Sequence, residues 1–378
     1  MTVHFTSDLQ PSSGDPAMRA AIFHGVGQPM TLESVEIDQP GPNEVLIRTR
    51  AAGLCHSDLH FIEGKYPTPL PVILGHEASG VVEAVGAGVS HVKPGDPVVS
   101  CLSVFCGHCE QCLTGRQSLC TDTRVKQPPG QARRLRWQGQ HVNQFLNLSA
   151  FAEQMLVHEN AVVRIPEDVD LGLAALLGCG VLTGYGSVAR SAQVEPGSTV
   201  AVLGCGGVGL ATINAALLAG AERILAIDID PGKLEMARVF GATDTLDGSE
   251  PELARKVIEL TGGGVHYAFE CIGLKQTAEA AFAMLRPRGL ATLVGMIPLG
   301  TRIELHGFDF LRERRIQGSM MGSNHFRLDI PRLIGFHRQG RLKLEPLISR
   351  RIGLDQINEG FADLQRGGIN RTLIEFAA

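Results

Sequence analysis

Thr199-Val-Ala-Val-Leu-Gly-Cys-Gly-Gly-Val-Gly209 is the stretch whose reading decides the fold. Its first five residues form an apolar, β-rich run. That run enters G-x-G-x-x-G directly, with Gly204, Gly206 and Gly209 as its glycines and Gly207 and Val208 between them. An Ala/Leu-rich segment then continues to about Ala219, and Arg223-Ile-Leu-Ala-Ile-Asp228 reads as a second strand. Strand, helix and strand within about 30 residues make a βαβ unit. Glycines at such a turn allow a tight bend, a close approach of backbone to a pyrophosphate, and close packing of helix on strand. Asp228 ends the second strand, where a carboxylate can bind both ribose hydroxyls and repel a 2′-phosphate, so NAD is expected rather than NADP. Lys233 on the next helix can hydrogen-bond the same ribose. Further alternation through Tyr267-Ala-Phe-Glu270 and Leu290-Ala-Thr-Leu-Val294 extends the unit into a doubly wound parallel sheet, an α/β fold.

The chain on the N-terminal side has a different character. Glu44-Val-Leu-Ile-Arg-Thr-Arg50 alternates, Gly80-Val-Val-Glu-Ala-Val85 is mostly β-branched, and Lys93-Pro-Gly-Asp96 is a turn before Pro97-Val-Val99. An all-β domain is therefore expected from Met18 to about Val99. A Cys-rich segment follows at 101–120, and Thr121 to Asn147 reads as a long surface loop. Arg133, Arg134, Arg136 and the lone Trp137 in that loop are either solvated or line a substrate mouth. Residues 1–17 are polar and Pro/Ser-rich and read as a frayed leader. At 378 residues the chain is long enough for two domains with a cleft between them.

Charge excludes one class of function. The chain carries 34 Lys and Arg against 39 Asp and Glu and has no long basic run, so it lacks the electrostatic footprint of nucleic-acid binding. Pro196 through Ala221 is uncharged and long enough to span a membrane, but its glycines mark a strand-to-helix turn and no span is expected. The N-terminus has neither a basic region nor an apolar core, so the cytoplasm is the expected compartment.

Nine cysteines without a secretory signal suggest metal binding or catalysis rather than disulfides. Cys106, Cys109, Cys112 and Cys120 lie at C-x2-C-x2-C-x7-C, which lets four thiolates of one loop close around zinc as a structural site. An iron–sulfur cluster can use similar spacing, but nothing else in the chain supplies it with a redox partner. A second, dispersed set comprises Cys55 in Cys-His-Ser-Asp-Leu-His60, His76 and Glu77 in Gly75-His-Glu-Ala-Ser-Gly80, and Cys179 in Gly178-Cys-Gly-Val-Leu-Thr-Gly-Tyr-Gly186. Two sulfurs and one imidazole would leave the fourth position of a zinc open, as catalysis requires, but spacing alone does not join them.

Together these motifs resemble the zinc-dependent medium-chain alcohol dehydrogenases, and the resemblance runs from about Met18 to the C-terminus. It implies a GroES-like catalytic domain (1–180 and 321–378) and a Rossmann cofactor domain (181–320). It also implies that Cys55, His76 and Cys179 hold a catalytic zinc, with Glu77 as an occasional alternative ligand, and that the four-cysteine loop holds a structural one. The zinc would acidify an alcohol whose hydride passes to the nicotinamide, Ser57 taking the hydroxyl proton and His60 receiving it by way of the cofactor ribose. Asp58 would orient His76. The family places His56 and Arg371 near the pyrophosphate, and Val294 and Met296 near the nicotinamide.

Within the family, Cys179 argues against the polyol branch, which usually has a carboxylate there. Arg124 matches an arginine of the glutathione-dependent formaldehyde dehydrogenases, but Lys65-Tyr-Pro-Thr68 stands where that branch has an acidic pair. The expectation is a primary-alcohol dehydrogenase free of thiol adducts, with bulky or aromatic alcohols as candidate substrates. Thiol-adduct formaldehyde oxidation is the alternative, and an NAD- and zinc-binding redox sensor is the non-enzymatic one. Tyr66, Leu102, Phe145, Leu146, Met296 and Met320 are the expected pocket lining, and a homodimer paired through the cofactor domain is expected from the long 121–147 loop.

Overall fold

A computed structural model describes residues 17–126, 134–367 and 370–377. The expected leader therefore lies outside the described residues except for Ala17, which already opens a strand, and Arg133 lies outside them too.

Residues 199–318 build a six-stranded sheet. Its spatial order is Asp244–Asp247, Arg223–Asp228, Thr199–Leu203, Val265–Glu270, Leu285–Leu293 and Arg315–Gly318, and every pair is parallel. Val200, Ala201 and Val202 of the central strand are fully buried, which explains the unbroken apolar run: a parallel strand covered on both faces has no solvent side on which to place polar residues. Strand order reverses on either side of Thr199–Leu203, so a crevice opens at its carboxyl end. The uncharged 196–221 stretch is this strand and the buried helix Gly207–Leu218. Among the described residues, no single helix is long and apolar enough to cross a membrane.

The remainder of the fold is β-rich. A sheet runs Val162–Arg164, Pro97–Ser100, Ala78–Val85, Glu44–Gly53, Arg371–Glu375 and Ile348–Ile352, with Gln154–His158 also paired to Glu44–Gly53. The chain's last strand thus returns to the first domain's sheet, Leu373 opposite Gly53.

The expected surface loop at 121–147 is in part a hairpin. Leu135–Trp137 and Gln140–Gln144 pair with each other and complete a closed barrel with Ala17–Phe23, Thr31–Ile37 and Val72–Ile73. The turn residues Gln138 and Gly139 both have positive φ (52° and 75°), as a two-residue hairpin turn requires. Arg136 bonds Glu36 at 3.1 Å and Asp38 at 2.6 Å, Trp137 Nε1 donates to Glu33 at 3.0 Å, and Arg134 pairs with Glu44. These side chains fasten the hairpin to neighbouring strands.

Candidate active site

Three chain segments bring Cys55, His76 and Cys179 together. Cys55 follows the Glu44–Gly53 strand and caps the helix His56–Ile62, His76 precedes the Ala78–Val85 strand, and Cys179 caps the helix Gly180–Gly186. One ligand atom from each lies within 4.8 Å of the others, and all three residues are buried. Asp58 joins two of the segments. Its Oδ1 accepts from His76 Nδ1 at 3.0 Å and from the Gly75 amide at 3.2 Å, while Oδ2 accepts from the Cys55 amide at 3.3 Å. The proton on Nδ1 leaves Nε2 of His76 as the free donor. A hydrogen bond from the Cys179 thiol holds the Cys55 thiol well below its ordinary range, while the same hydrogen bond and burial push the Cys179 thiol up.

Cys179 is fixed by helix packing that only glycines allow. A Cβ at Gly184 would stand 2.7 Å from Ala211 Cβ on the Gly207–Leu218 helix, and one at Gly186 would stand 2.1 Å from the Gly322 carbonyl oxygen. The same close turn carries Met321, at φ 51°, whose Sδ lies 4.0 Å from Cys179 Sγ and 3.6 Å from Thr183 Oγ1. Met320, an expected lining residue, is 57% exposed, and its neighbour Met321 is the one packed against Cys179.

Glu77 and Arg371 are both buried behind the cluster, Oε2 to Nη2 at 3.8 Å. Neither carboxylate oxygen of Glu77 has a hydrogen-bond partner, and burial pushes its carboxyl up to about 7 against the pull of Arg371. The Arg371 guanidinium also reaches the glycine loop, where a Cβ at Gly207 would stand 2.6 Å from its Nε. It therefore connects the Cys55 cluster to the dinucleotide crevice.

In that loop Gly204 has φ +93°, and a Cβ at Gly209 would fall 1.7 Å from the Gly204 oxygen, whereas one at Gly206 would meet open space. The loop's backbone is thus bare on one side, at the start of a twelve-residue helix beginning at Gly207, followed by Val208. Asp228 accepts from the Cys205 amide at 2.7 Å and the Asp230 amide at 3.0 Å, which points its carboxylate across the crevice floor. Lys233 stands in the first turn of the next helix, Pro231–Phe240. Val294 and Met296 follow the Leu285–Leu293 strand, where the Val294 amide bonds the Glu270 carbonyl and the Met296 backbone closes on Gly273. Glu270, which sequence reasoning passed over, is fully buried and receives the Ile272 and Gly273 amides and the Thr277 hydroxyl, fixing this edge of the crevice.

On the helix His56–Ile62, His56 is exposed and Ser57 and His60 are half-buried. His60 Nδ1 is buried and has no hydrogen-bond partner. Tyr66 meets His60 edge-on at 6.1 Å between centroids and donates to the Ile297 carbonyl across the crevice. Phe61 stacks edge-on against Phe145 at 4.8 Å, and Phe145 faces His76 at 6.1 Å. Phe61 is thus an aromatic wall residue that the sequence did not single out; only its place one residue after His60 pointed to it. Arg124 lies elsewhere, bonded through Nε and Nη2 to Asp122 and 2.7 Å from His108.

Cys106, Cys109, Cys112 and Cys120 form the other cluster, around the single helical turn Glu110–Leu113. Sulfur separations of 3.8 Å (Cys106–Cys112), 3.5 Å (Cys109–Cys112) and 3.8 Å (Cys109–Cys120) match the edge of about 3.8 Å that a tetrahedron with Zn–S bonds of about 2.3 Å would have. Amides of His108 and Cys109 point at the Cys106 sulfur, at 3.4 and 3.2 Å, as a thiolate favours.

Comparison with known proteins agrees with this architecture. Residues 41–167 match the alcohol dehydrogenase GroES-like domain and residues 207–336 match the zinc-binding dehydrogenase family. An S-(hydroxymethyl)glutathione dehydrogenase of Haemophilus influenzae is 36% identical over 369 residues, covering 95% of this chain and 97% of that protein. Among solved structures, an alcohol dehydrogenase zinc-binding domain protein from Burkholderia ambifaria superposes with a TM-score of 0.92 at 36% identity, over 97% of this chain and all of that one. Benzyl alcohol dehydrogenase from Acinetobacter calcoaceticus gives 0.90 at 34% identity, over 96% of this chain and all of that one. With relatives this similar along nearly its whole length, the chain belongs to the zinc-dependent medium-chain alcohol dehydrogenases, a family of NAD-dependent oxidoreductases.

Proposed function

We propose that the protein interconverts primary alcohols, bulky and aromatic ones included, with their aldehydes, and does so without a thiol adduct. The observation that carries this reading is the buried group of Cys55, His76 and Cys179, three donors within 4.8 Å and one short of a tetrahedral set, set beside an aromatic wall of Phe61, Tyr66 and Phe145.

The residues fit the groups the family uses. Cys55, His76 and Cys179 would hold the catalytic zinc, with Glu77, whose carboxylate oxygens have no hydrogen-bond partner, as a reserve ligand, and Cys106, Cys109, Cys112 and Cys120 would hold the structural zinc. Bound in that site, zinc would supply Lewis acidity toward an alcohol hydroxyl and NAD would supply a hydride acceptor. Ser57 takes the hydroxyl proton, and His60, with its unpartnered Nδ1, passes it to solvent. Asp58 keeps His76 in the tautomer that presents Nε2. Gly204, Gly206, Gly207, Val208 and Gly209 receive the pyrophosphate with His56 and Arg371, Asp228 and Lys233 hold the adenosine ribose, and Val294 and Met296 flank the nicotinamide.

Sheet membership supports dividing the chain into residues 1–180 with 321–378 and residues 181–320, since Arg371–Glu375 pairs with Glu44–Gly53 and all strands of the parallel sheet fall between. A homodimer is supported by the exposed Leu299, Phe308 and Leu311, apolar surface that a second copy would cover. Nine unpaired cysteines suit a reducing compartment such as the cytoplasm.

The test is NADH formation from a panel of primary, aromatic and polyol alcohols, beside formaldehyde with and without glutathione. Turnover of benzylic and long primary alcohols without thiol is expected. Activity confined to formaldehyde plus glutathione would overturn the reading and would require Arg124 to leave Asp122 for the adduct's carboxylate.

A further inference from the structure

A cavity of about 510 Å³ lies at the amino ends of the parallel strands, on the opposite edge of the sheet from the dinucleotide crevice. Its walls include Glu195, His266, Tyr267, Arg286 and Arg315, and the pair Arg288–Glu313 (3.4 Å) closes one side.

The imidazole of His266 is in a position its own chemistry cannot satisfy. Nδ1 faces the Thr199 amide at 3.0 Å, and Nε2 faces Arg286 Nη1 at 2.7 Å. An amide N–H and a guanidinium are both donors only, while a neutral imidazole has one acceptor nitrogen and one N–H. One of the two contacts is therefore donor against donor. The amide belongs to the first residue of a buried strand and cannot turn away, so Nδ1 is the acceptor and Nε2 carries the hydrogen. Burial and the adjacent Arg286 both hold the ring below its ordinary titration range, against the pull of the Glu195 carboxylate. The Nε2–H and the Arg286 N–H groups then meet with no hydrogen bond from either to a carboxylate among the described residues. Among the described residues, Arg286 has no carboxylate within 4.0 Å and the Arg315 side chain has neither a hydrogen bond nor an ion pair. Three arginines line the cavity against two glutamates.

We infer that this cavity is an anion site, built for the phosphate group of a small molecule, with Arg286, Arg315 and the Nε2–H of His266 as its donors. A tetrahedral dianion can accept from all three at once and turns the donor–donor contact into two charge-assisted hydrogen bonds. Inorganic phosphate fills only part of the volume, so a phosphate monoester has room for its organic portion beside Tyr267.

The experiment uses the zinc-loaded enzyme saturated with NADH, so that the cofactor's own phosphate site is filled. Binding of inorganic phosphate and of glycerol 3-phosphate is followed by calorimetry at constant ionic strength, with chloride as the control. The comparison is the Arg286→Gln/Arg315→Gln double variant, whose turnover without phosphate should match the parent and so report an intact fold. Saturable phosphate binding that weakens by about tenfold or more in the double variant is expected. Tighter binding of glycerol 3-phosphate assigns the site to an ester, and equal or weaker binding assigns it to free phosphate. Absence of saturable binding by either probe, or binding unchanged in the double variant, overturns the inference. Because the cavity is remote from Cys55, His76 and Cys179, failure here leaves the dehydrogenase reading untouched.

Discussion

Asp58 Oδ1 lies 3.0 Å from His76 Nδ1, and the same carboxylate accepts the amides of Gly75 and Cys55, so one buried side chain orients one metal donor and anchors the backbone beside another. Asp58→Asn keeps the shape but loses the charge that makes this hydrogen bond strong. Zinc affinity of the catalytic site, or activity at limiting zinc, should fall roughly 10- to 100-fold. Competition with a chelator, read by metal analysis, measures it, and the zinc held by the four-cysteine loop should stay bound.

Asp228→Gly should shift cofactor preference toward NADP. The carboxylate that repels a 2′-phosphate goes, and with it the hydrogen bonds to the ribose, so the ratio of kcat/KM for NAD over NADP should drop by roughly 10- to 100-fold, the worth of one or two charge-assisted bonds. Steady-state kinetics with both cofactors decides it. An unchanged ratio would put the discrimination elsewhere.

The acid side of the pH profile should report His60. Burial first, then the nearby Lys65 cation, hold its imidazole below the ordinary value of 6.5. The neutral ring accepts the proton, so kcat/KM should rise with pH through a value below that and level off above it. Removing the cation makes protonation easier: Lys65→Gln should move the acid limb to higher pH. A shift to lower pH, or none, would remove His60 from the proton path.

Gly184→Ala should destabilise the protein by about 1–3 kcal/mol, because the added methyl must push the Gly180–Gly186 helix off Ala211 and the Thr212 amide. Since Cys179 caps that helix, zinc occupancy of the catalytic site should fall with it. The denaturation midpoint and the metal content check the two effects separately.

Much of this was legible in the sequence because the physics was local. Thr199–Leu203 and Arg223–Asp228 occur where the apolar runs put them, since a strand buried on both faces admits little else. The four-cysteine loop was equally legible, because its ligands are close in the chain. The hairpin at 135–144 was not: its turn is Gln138-Gly139, without the usual Asn or Asp, and its strands are short, so only the partners Glu33, Glu36 and Asp38 reveal it. The contact of Met321 with Cys179 was hidden for a similar reason. Consecutive residues with left-handed backbone from Met321 to Ser323 reverse which side chain faces Cys179, and no alternation rule anticipates that. The dispersed Cys55, His76 and Cys179 were joined by resemblance, since 21 and 103 residues separate them and only tertiary structure supplies the proximity.

Counting zinc per chain in His76→Ala, beside turnover and NADH binding on the same preparation, is the measurement to make on the site itself. The variant should keep the zinc of Cys106, Cys109, Cys112 and Cys120, lose the other, bind NADH as before and turn over no alcohol. Full alcohol oxidation by a chain holding only that one zinc would contradict the assignment of Cys55, His76 and Cys179 as the catalytic centre.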